Sequence, residues 1–104
     1  MYRYLSARID EQHYRKLLRE TEKLQTSVSA RLREIITTTG YRAPETGKLT
    51  KVVTVFADEK LIDYTQKKKG ELTTSEYIRG VVYAHFNDSF VKRFFRSIKR
   101  ALRR

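Results

Sequence analysis

The sequence contains no cysteine or tryptophan and has only one proline and four glycines in its 104 residues. The absence of cysteine excludes disulfides, thiolate nucleophiles and zinc sites that depend on thiolate ligands. Every apolar run is far shorter than the roughly 20 residues that span a bilayer, so we expect no membrane insertion. The polar N-terminus also lacks the pattern of a signal peptide, which predicts a cytoplasmic protein.

Sequence patterns typical of enzymes are missing as well. The only histidines, His13 and His85, have no HExxH context, and the phosphate-binding loops GxGxxG and GxxxxGK(S/T) do not occur. The carboxylates are scattered among basic residues, as on solvated helix faces. We therefore predict no enzymatic activity, no metal and no cofactor, and we interpret both histidines as packing or surface groups.

Positive charge is what the chain has in excess. It carries 23 Lys and Arg against 12 Asp and Glu, which gives a net charge of +11. Such an excess favours a polyanionic partner, with nucleic acid first and an anionic membrane surface second. A soluble basic protein without such a partner is the plain alternative. The length predicts one compact domain, or two very small ones that depend on each other.

The pattern of residues predicts two cycles of a strand followed by two helices. Apolar and polar residues alternate in Tyr2–Asp10 and again in Lys51–Asp58, as in strands with one buried face. Each stretch ends at an aspartate that can cap a following helix, and these two aspartates are 48 residues apart. The second cycle is shorter between its strand and its last helix, so its first helix should be shorter.

Apolar positions three and four residues apart predict which helix faces point inward. The inward positions of the two helices in the first cycle are Tyr14, Leu17, Leu18, Thr21, Leu24, Val28, Leu32, Ile35 and Ile36, with Arg31 and Arg33 outward. Those of the second cycle are Leu61, Ile62, Thr65, Tyr77, Ile78, Val81, Val82 and Phe86. Gly70 predicts a helix end, and Thr73 with Glu76 predicts a capping box at the next helix start.

These elements predict four segments, with units at 1–39 and 50–87, a linker at 40–49 and a basic amphipathic helix at 88–104. The last helix has an apolar stripe, and its opposite face is strongly basic. The residues of that face that could contact phosphates or a partner protein are Lys92, Arg93, Arg96, Lys99 and Arg100. The apolar stripe could instead pack on the core or on another subunit, and a helix of this kind could also lie on a membrane.

The short motifs Leu5–Asp10, Ser27–Ser29, Gly70 and Thr73–Arg79 occur in this arrangement. Together they resemble the ribbon-helix-helix (Arc-type) family of DNA-binding proteins. Two units in one chain are similar to the tandem members found among plasmid-transfer accessory proteins and archaeal viral regulators. The resemblance implies a mostly helical α+β fold in which the two units form a pseudo-dimer with a two-stranded antiparallel ribbon.

In that family the ribbon enters the major groove of double-stranded DNA, where alternate side chains contact base edges. The resemblance assigns this base-reading face to Tyr4, Ser6, Arg8, Thr50, Val52, Thr54 and Phe56. Arg8 is the best candidate for a contact to guanine. The second strand is more apolar than the family pattern, so its side chains either contact thymine methyl groups or pack on their neighbours.

The starts of the second helices are the predicted phosphate anchors, because helix N-termini carry unpaired N–H groups. The residues concerned are Ser27, Ser29, Arg31, Thr73, Thr74 and Ser75. Each hydroxyl could instead only cap its helix.

We expect sequence-specific binding of double-stranded DNA by an oligomer of such pseudo-dimers, acting as a transcriptional regulator such as a repressor. One alternative is a plasmid-transfer accessory protein that bends DNA near an origin. Another is an antitoxin-like protein whose C-terminal helix binds a partner protein.

Overall fold

A computed structural model of the chain describes residues 2–45 and 48–87, and the structural statements below refer to these residues. The elements in chain order are β1 (Arg3–Ile9), α1 (Glu11–Leu24), α2 (Val28–Thr38), β2 (Lys51–Ala57), α3 (Glu59–Lys69) and α4 (Thr74–Asn87). The strands pair antiparallel in a two-stranded sheet, and the helices pack against its inner face. The α+β class and the order of strands and helices are therefore confirmed.

Each strand has one buried and one exposed face, because its apolar and polar side chains alternate. The buried strand residues are Leu5, Ala7, Ile9, Val53, Val55 and Ala57. The side chains that alternate with them are exposed on the other face of the sheet, at Tyr4, Ser6, Arg8, Val52, Thr54 and Phe56. Lys51 lies on the inner side at the start of β2, opposite Ile9, and is partly buried. The sheet therefore has a single outer face, and its inner face forms one wall of the core.

Local capping explains where the helices begin and end. Asp10 Oδ1 accepts a hydrogen bond of 2.8 Å from the His13 N–H, and Asp58 Oδ1 accepts one of 2.9 Å from the Leu61 N–H. At its end, α1 turns into a left-handed residue at Gln25, while α3 ends at Gly70 with φ +55°. The capping aspartates and the glycine stop are as predicted. The prediction of a shorter first helix in the second cycle is confirmed, since α3 has 11 residues and α1 has 14.

The two halves of the chain are interleaved in the core. The first strand packs mainly on α4 of the second half, and the second strand packs mainly on α2 of the first half. Between the strands and these helices lie the fully buried aliphatic side chains Leu32, Ile35, Ile36, Ile78, Val81 and Val82. Neither half encloses a core by itself, so the two halves depend on each other for folding.

The two halves repeat their pattern of burial. The buried residues Leu5, Ala7, Ile9, His13 and Leu17 each have a buried counterpart 48 positions later, at Val53, Val55, Ala57, Leu61 and Thr65. Beyond α3 the offset becomes 46, which relates Leu32, Ile35 and Ile36 to Ile78, Val81 and Val82. The offset changes because α3 is shorter than α1. The repeat is thus one of burial and spacing rather than of residue identity.

Three helix positions, Leu18, Leu24 and Arg31, differ from the sequence-based expectation. Leu18 and Leu24 were expected to face inward but are 39% and 55% exposed, while His13 is 6% exposed. The buried face of α1 follows a spacing of four residues through His13, Leu17 and Thr21, so it is narrower than the apolar stripe suggested. Arg31 was expected to face outward, yet its side chain is only 18% exposed because two carboxylates lie beside it.

The chain that leaves α2 passes over α4. The Tyr41 ring stacks near the Tyr77 ring, with 6.2 Å between centroids, and it covers Gly80. A Cβ atom at Gly80 would overlap the Tyr41 ring and lie 2.8 Å from the Arg42 carbonyl oxygen. The start of the predicted linker is therefore packed against the second half.

None of the helices in the described part of the chain is both long enough and apolar enough to cross a bilayer.

Candidate nucleic-acid interface

The outer face of the sheet brings together six of the seven predicted base-reading residues. The antiparallel pairing places Tyr4 opposite Phe56, Ser6 opposite Thr54, and Arg8 opposite Val52. The seventh, Thr50, precedes β2 and is exposed. Tyr4 is 69% exposed and Val52 is 58% exposed. The face is therefore open over its whole length and contains both polar and apolar groups.

The pair Ser6 and Thr54 marks the middle of this face. Their hydroxyl oxygens are 3.2 Å apart and share a hydrogen bond, and the two residues are 48 positions apart in the sequence. Since the same offset relates the two strands, the pairing is symmetric about this pair. Each hydroxyl keeps capacity to donate or accept a further hydrogen bond.

One end of the outer face is a cluster of three aromatic rings. Phe56 stacks on Tyr2 with 5.0 Å between centroids and an interplanar angle of 7°, and it meets Tyr4 at 5.1 Å and 52°. Phe56 thus packs on its neighbours, and it still exposes 36% of its surface. Sequence reasoning did not include Tyr2 in the reading face. Strand alternation does place Tyr2 on the same side as Tyr4, but its contact with Phe56 depends on the pairing of the strands.

The two edges of the sheet are held by serines at the starts of the second helices. The Ser75 hydroxyl of α4 accepts a hydrogen bond of 3.3 Å from the Arg8 N–H. The Ser29 hydroxyl of α2 accepts one of 2.8 Å from the Phe56 N–H. These predicted anchors therefore bond to the sheet, and they place the N-termini of α2 and α4 beside its two edges.

Arg79 strengthens one of these edges, although sequence reasoning assigned it no role. Its Nε donates to the Arg8 carbonyl oxygen at 2.8 Å, and its Nη2 lies 3.4 Å from the Ser75 hydroxyl. The available signal was its position four residues after Ser75, one helical turn further along α4.

The remaining hydroxyls at the helix starts mostly act as caps. Ser27 Oγ accepts a hydrogen bond of 3.0 Å from the Ala30 N–H. Thr73 Oγ1 accepts one of 3.1 Å from the Glu76 N–H, and a Glu76 carboxylate oxygen accepts one of 3.2 Å from the Thr73 N–H. Hydrogen bonds to the Glu76 carboxylate from the Thr73 hydroxyl and from the Thr73 N–H lower the pKa of Glu76. The capping box is confirmed. Thr74, the first residue of α4, is partly buried.

Arg31 has a different environment from the other predicted anchors. Its Nε donates to Glu20 Oε1 at 2.8 Å, its Nη1 donates to Glu34 Oε2 at 2.9 Å, and His85 Nε2 lies 2.9 Å from Glu20 Oε2. Burial, the largest effect, raises the pKa of Glu20, but hydrogen bonds from Arg31 and His85 outweigh it and lower that pKa. The Arg31 guanidinium is therefore already paired with carboxylates, so it does not belong to the candidate interface.

The basic residues predicted at the C-terminus, Lys92, Arg93, Arg96, Lys99 and Arg100, lie outside the described residues. Within the described ranges, no group of three or more histidine, aspartate and glutamate side chains is arranged to hold a metal ion. Searches with this chain found no matching family model, curated protein or solved structure.

Proposed function

We propose that this chain is a tandem ribbon-helix-helix protein that binds double-stranded DNA in the major groove and regulates transcription. The observation that carries the proposal is the sheet itself. It is a two-stranded antiparallel ribbon with a buried inner face and an outer face of exposed side chains, in a chain of net charge +11. The major groove is wide enough to admit such a ribbon.

The outer face carries the groups that distinguish base pairs in the major groove. Arg8 presents a planar guanidinium that can form two hydrogen bonds to guanine O6 and N7. Ser6 and Thr54 lie at the centre, where a hydroxyl can donate to or accept from any base pair. Their hydrogen bond to each other holds both side chains in place before DNA arrives.

The N-termini of α2 and α4 supply the phosphate contacts in this proposal. The first N–H groups of an α-helix have no acceptor within the helix and carry a partial positive charge. Because Ser29 and Ser75 tie these helix starts to opposite edges of the ribbon, the free N–H groups flank the reading face. A ribbon in the groove would therefore have one helix N-terminus near each DNA backbone.

The interleaved packing favours a pseudo-dimer formed by one chain. Each half supplies one strand and receives the helix of the other half beneath it. A single chain would then contain a complete reading surface, and further copies would assemble on adjacent DNA sites as an oligomer of pseudo-dimers. Such a protein would act in the cytoplasm, on DNA.

Replacing Arg8 tests the proposal most directly. Selection of bound sequences from random double-stranded DNA should yield a defined motif for the wild type. Arg8→Ala should lose about 1–3 kcal/mol of discrimination at one G·C position. The fold should be retained, because Ser75 and Arg79 bind the Arg8 backbone rather than its side chain.

Arg15→Ala is the matched control, since it removes the same charge from an exposed arginine of α1 that pairs with Glu11. It should weaken binding to all sequences slightly and leave the motif unchanged. An unaltered motif for Arg8→Ala would contradict the assignment of the reading face. A wild-type preference for RNA, or no selected sequence, would contradict the DNA-binding function itself.

A further inference from the structure

We infer that the DNA site of this chain has a direction, with thymine methyl groups contacted by Tyr2, Tyr4 and Phe56 at one end and guanine contacted by Arg8 at the other. The inference rests on the proposed DNA-binding function. It adds the chemistry of each end of the site and the orientation in which the chain binds.

Because of the way the strands pair, the two ends of the ribbon differ in chemistry. With an offset of 48 residues, Tyr4 corresponds to Val52 and Arg8 corresponds to Phe56. In an antiparallel pair symmetric about its centre, two identical strands would present the same cross-strand pair at both ends. Here one end holds Tyr4 with Phe56, and the other holds Arg8 with Val52. The sequence alone suggested a polar strand beside an apolar one, whereas the pairing produces an aromatic end and a cationic end.

The aromatic end has the surface expected for contact with methyl groups. Phe56 has no polar side-chain atom, and the 5-methyl group of thymine is the apolar feature that base pairs present in the major groove. Tyr2 and Tyr4 each lie against Phe56 and are 67% and 69% exposed. Both tyrosine rings are therefore packed on Phe56 before binding and are still open to DNA. Little side-chain entropy is then lost when DNA covers them.

The opposite end has the surface expected for guanine. Arg8 is exposed there, and the side chain across from it is Val52, which offers no carboxylate to compete for the guanidinium. Its neighbour along the outer face is the hydroxyl of Ser6, which cannot neutralise the charge either. The Arg8 guanidinium can therefore donate both of its forked N–H groups to a base.

The length of the ribbon sets the spacing of the two contacts. Tyr4 and Arg8 are separated by four residues on one strand, and each strand residue advances by about 3.3 Å. One base-pair step advances by about 3.4 Å. A ribbon that follows the inclined groove advances less along the helix axis than along its own length, so the guanine and the nearest contacted thymine should be at most about four base pairs apart.

Exposed aromatic rings can also stack on the bases of single-stranded nucleic acid. Here Tyr2 and Phe56 stack nearly parallel on each other, so the ring faces that meet are already covered. The ring cluster is also one end of a paired ribbon whose other end carries Arg8. These observations favour the duplex, and single-stranded DNA is included as a competitor in the test.

The test begins with selection of duplex sites by the full 104-residue chain, followed by two base analogues in the selected site. Uracil in place of thymine removes the methyl group, which should weaken wild-type binding about four-fold per contacted methyl, since one buried CH₂ or CH₃ contributes roughly 0.8 kcal/mol. 7-Deazaguanine removes the N7 acceptor and should weaken binding about five-fold at the other end, as expected for one hydrogen bond.

Two variants at opposite ends of the ribbon make a matched pair. Phe56→Thr should reduce the effect of uracil, because it removes the ring against which Tyr2 and Tyr4 pack, and should preserve the effect of 7-deazaguanine. Val52→Thr changes the opposite end of the same face and should preserve the effect of uracil. Threonine suits both exposed strand positions, as it does at Thr54. Tyr2→Ser, which lies before the first strand, supplies a second test of the aromatic end if Phe56→Thr lowers the melting temperature.

A palindromic motif, or wild-type binding that is indifferent to uracil, would overturn this inference and leave the proposed DNA-binding function standing. Failure to bind any duplex would overturn the proposed function. Tighter binding of single-stranded DNA than of the selected duplex would overturn both.

Discussion

Arg31 in α2 and Tyr77 in α4 occupy the same place in the two halves of the chain, 46 residues apart. Arg31 is surrounded by Glu20 and His85, which come from α1 and α4. Tyr77 is 2% exposed, and the Tyr41 ring stacks near it. Burial, followed by the neighbouring Tyr64, raises the pKa of Tyr77. One fold position is thus stabilised by charged hydrogen bonds in the first half and by aromatic packing in the second.

Helices α1 and α3 also differ in the residue types at their equivalent buried positions. The first half has a buried histidine at His13 and a leucine at Leu17, while the second half has Leu61 and then a buried Thr65. The His13 ring has partners, whereas Thr65 Oγ1 has no hydrogen-bond partner within the described part of the chain. An unpaired buried hydroxyl costs stability, so the core of the second half is less well optimised at this position.

The largest expected effect comes from placing threonine, the residue found at position 65 of the second half, at the equivalent position 17 of the first half. Leu17→Thr should lower the free energy of unfolding by about 3 kcal/mol, because it leaves a space in the core and buries a hydroxyl. The measurement is the urea midpoint, monitored by circular dichroism.

A substitution at the equivalent position of the second half, Thr65, is its control. Thr65→Val keeps the shape of the side chain and removes the unpaired hydroxyl, so it should raise the stability by about 1 kcal/mol. Destabilisation by Thr65→Val would mean that the hydroxyl has a stabilising contact and that the two positions are not comparable.

The next effect concerns the ion pairs of Arg31. Glu20→Gln should lower stability by about 2 kcal/mol, because it leaves a largely buried guanidinium without its closest carboxylate. Glu34→Gln removes the other carboxylate, which is 62% exposed, and should cost less than about 0.5 kcal/mol. Equal losses from both variants would contradict the greater importance of the buried pair.

The same pair predicts a dependence on pH. The pKa of Glu20 is lowered in the folded chain. The Glu20 carboxylate therefore stabilises the fold fully above the ordinary glutamate pKa of 4.5, and this stabilisation is lost as the pH falls through the lowered pKa. Glu20→Gln should therefore lose less stability than the wild type over that acidic range, measured as urea midpoints.

The smallest effect comes from replacing His13 with its counterpart in the other half. Burial lowers the pKa of His13 below 6.5, although Asp10 opposes this. The Asn87 amide nitrogen lies 2.8 Å from His13 Nε2, an arrangement that requires the neutral ring. The unfolded chain therefore binds a proton here at a higher pH than the folded chain, and stability should fall as the pH drops through 6.5.

His13→Leu should remove this part of the pH dependence and leave the chain folded, since Leu61 fills the corresponding position of α3. The measurement compares urea midpoints of the variant and the wild type at about pH 7.5 and about pH 5.5. If the wild type and the variant lose the same stability between these two pH values, the pH dependence arises from other groups.

The sequence was most informative where structure depends on near neighbours. Alternation of apolar and polar residues predicted both strands, and the two aspartates, Gly70 and the pair Thr73 and Glu76 predicted helix ends within a residue or two. It was less informative about the faces of α1, where Leu18 is exposed and His13 is buried. A stripe of apolar residues shows only which face could be buried, and the position of neighbouring helices selects the part that is.

In the candidate interface, too, some features follow from near neighbours in the sequence and others depend on distant segments. Alternation along each strand placed Tyr4, Ser6 and Arg8 on one face, but it could not show which side chains lie opposite them. Only the pairing of two segments 48 residues apart puts Phe56 beside Tyr4 and leaves Arg8 at the other end. The use of Ser29 and Ser75 to hold the ribbon edges also depends on contacts between distant segments.

The sequence by itself determined the strands, the helix starts and the basic character of this chain, because periodicity, capping and charge act within a few residues. Tertiary structure decided the symmetric pairing about Ser6 and Thr54, the exchange of helices between halves and the burial of Arg31. These features join residues far apart in the chain, whose relative positions are set only when both halves bury one common core.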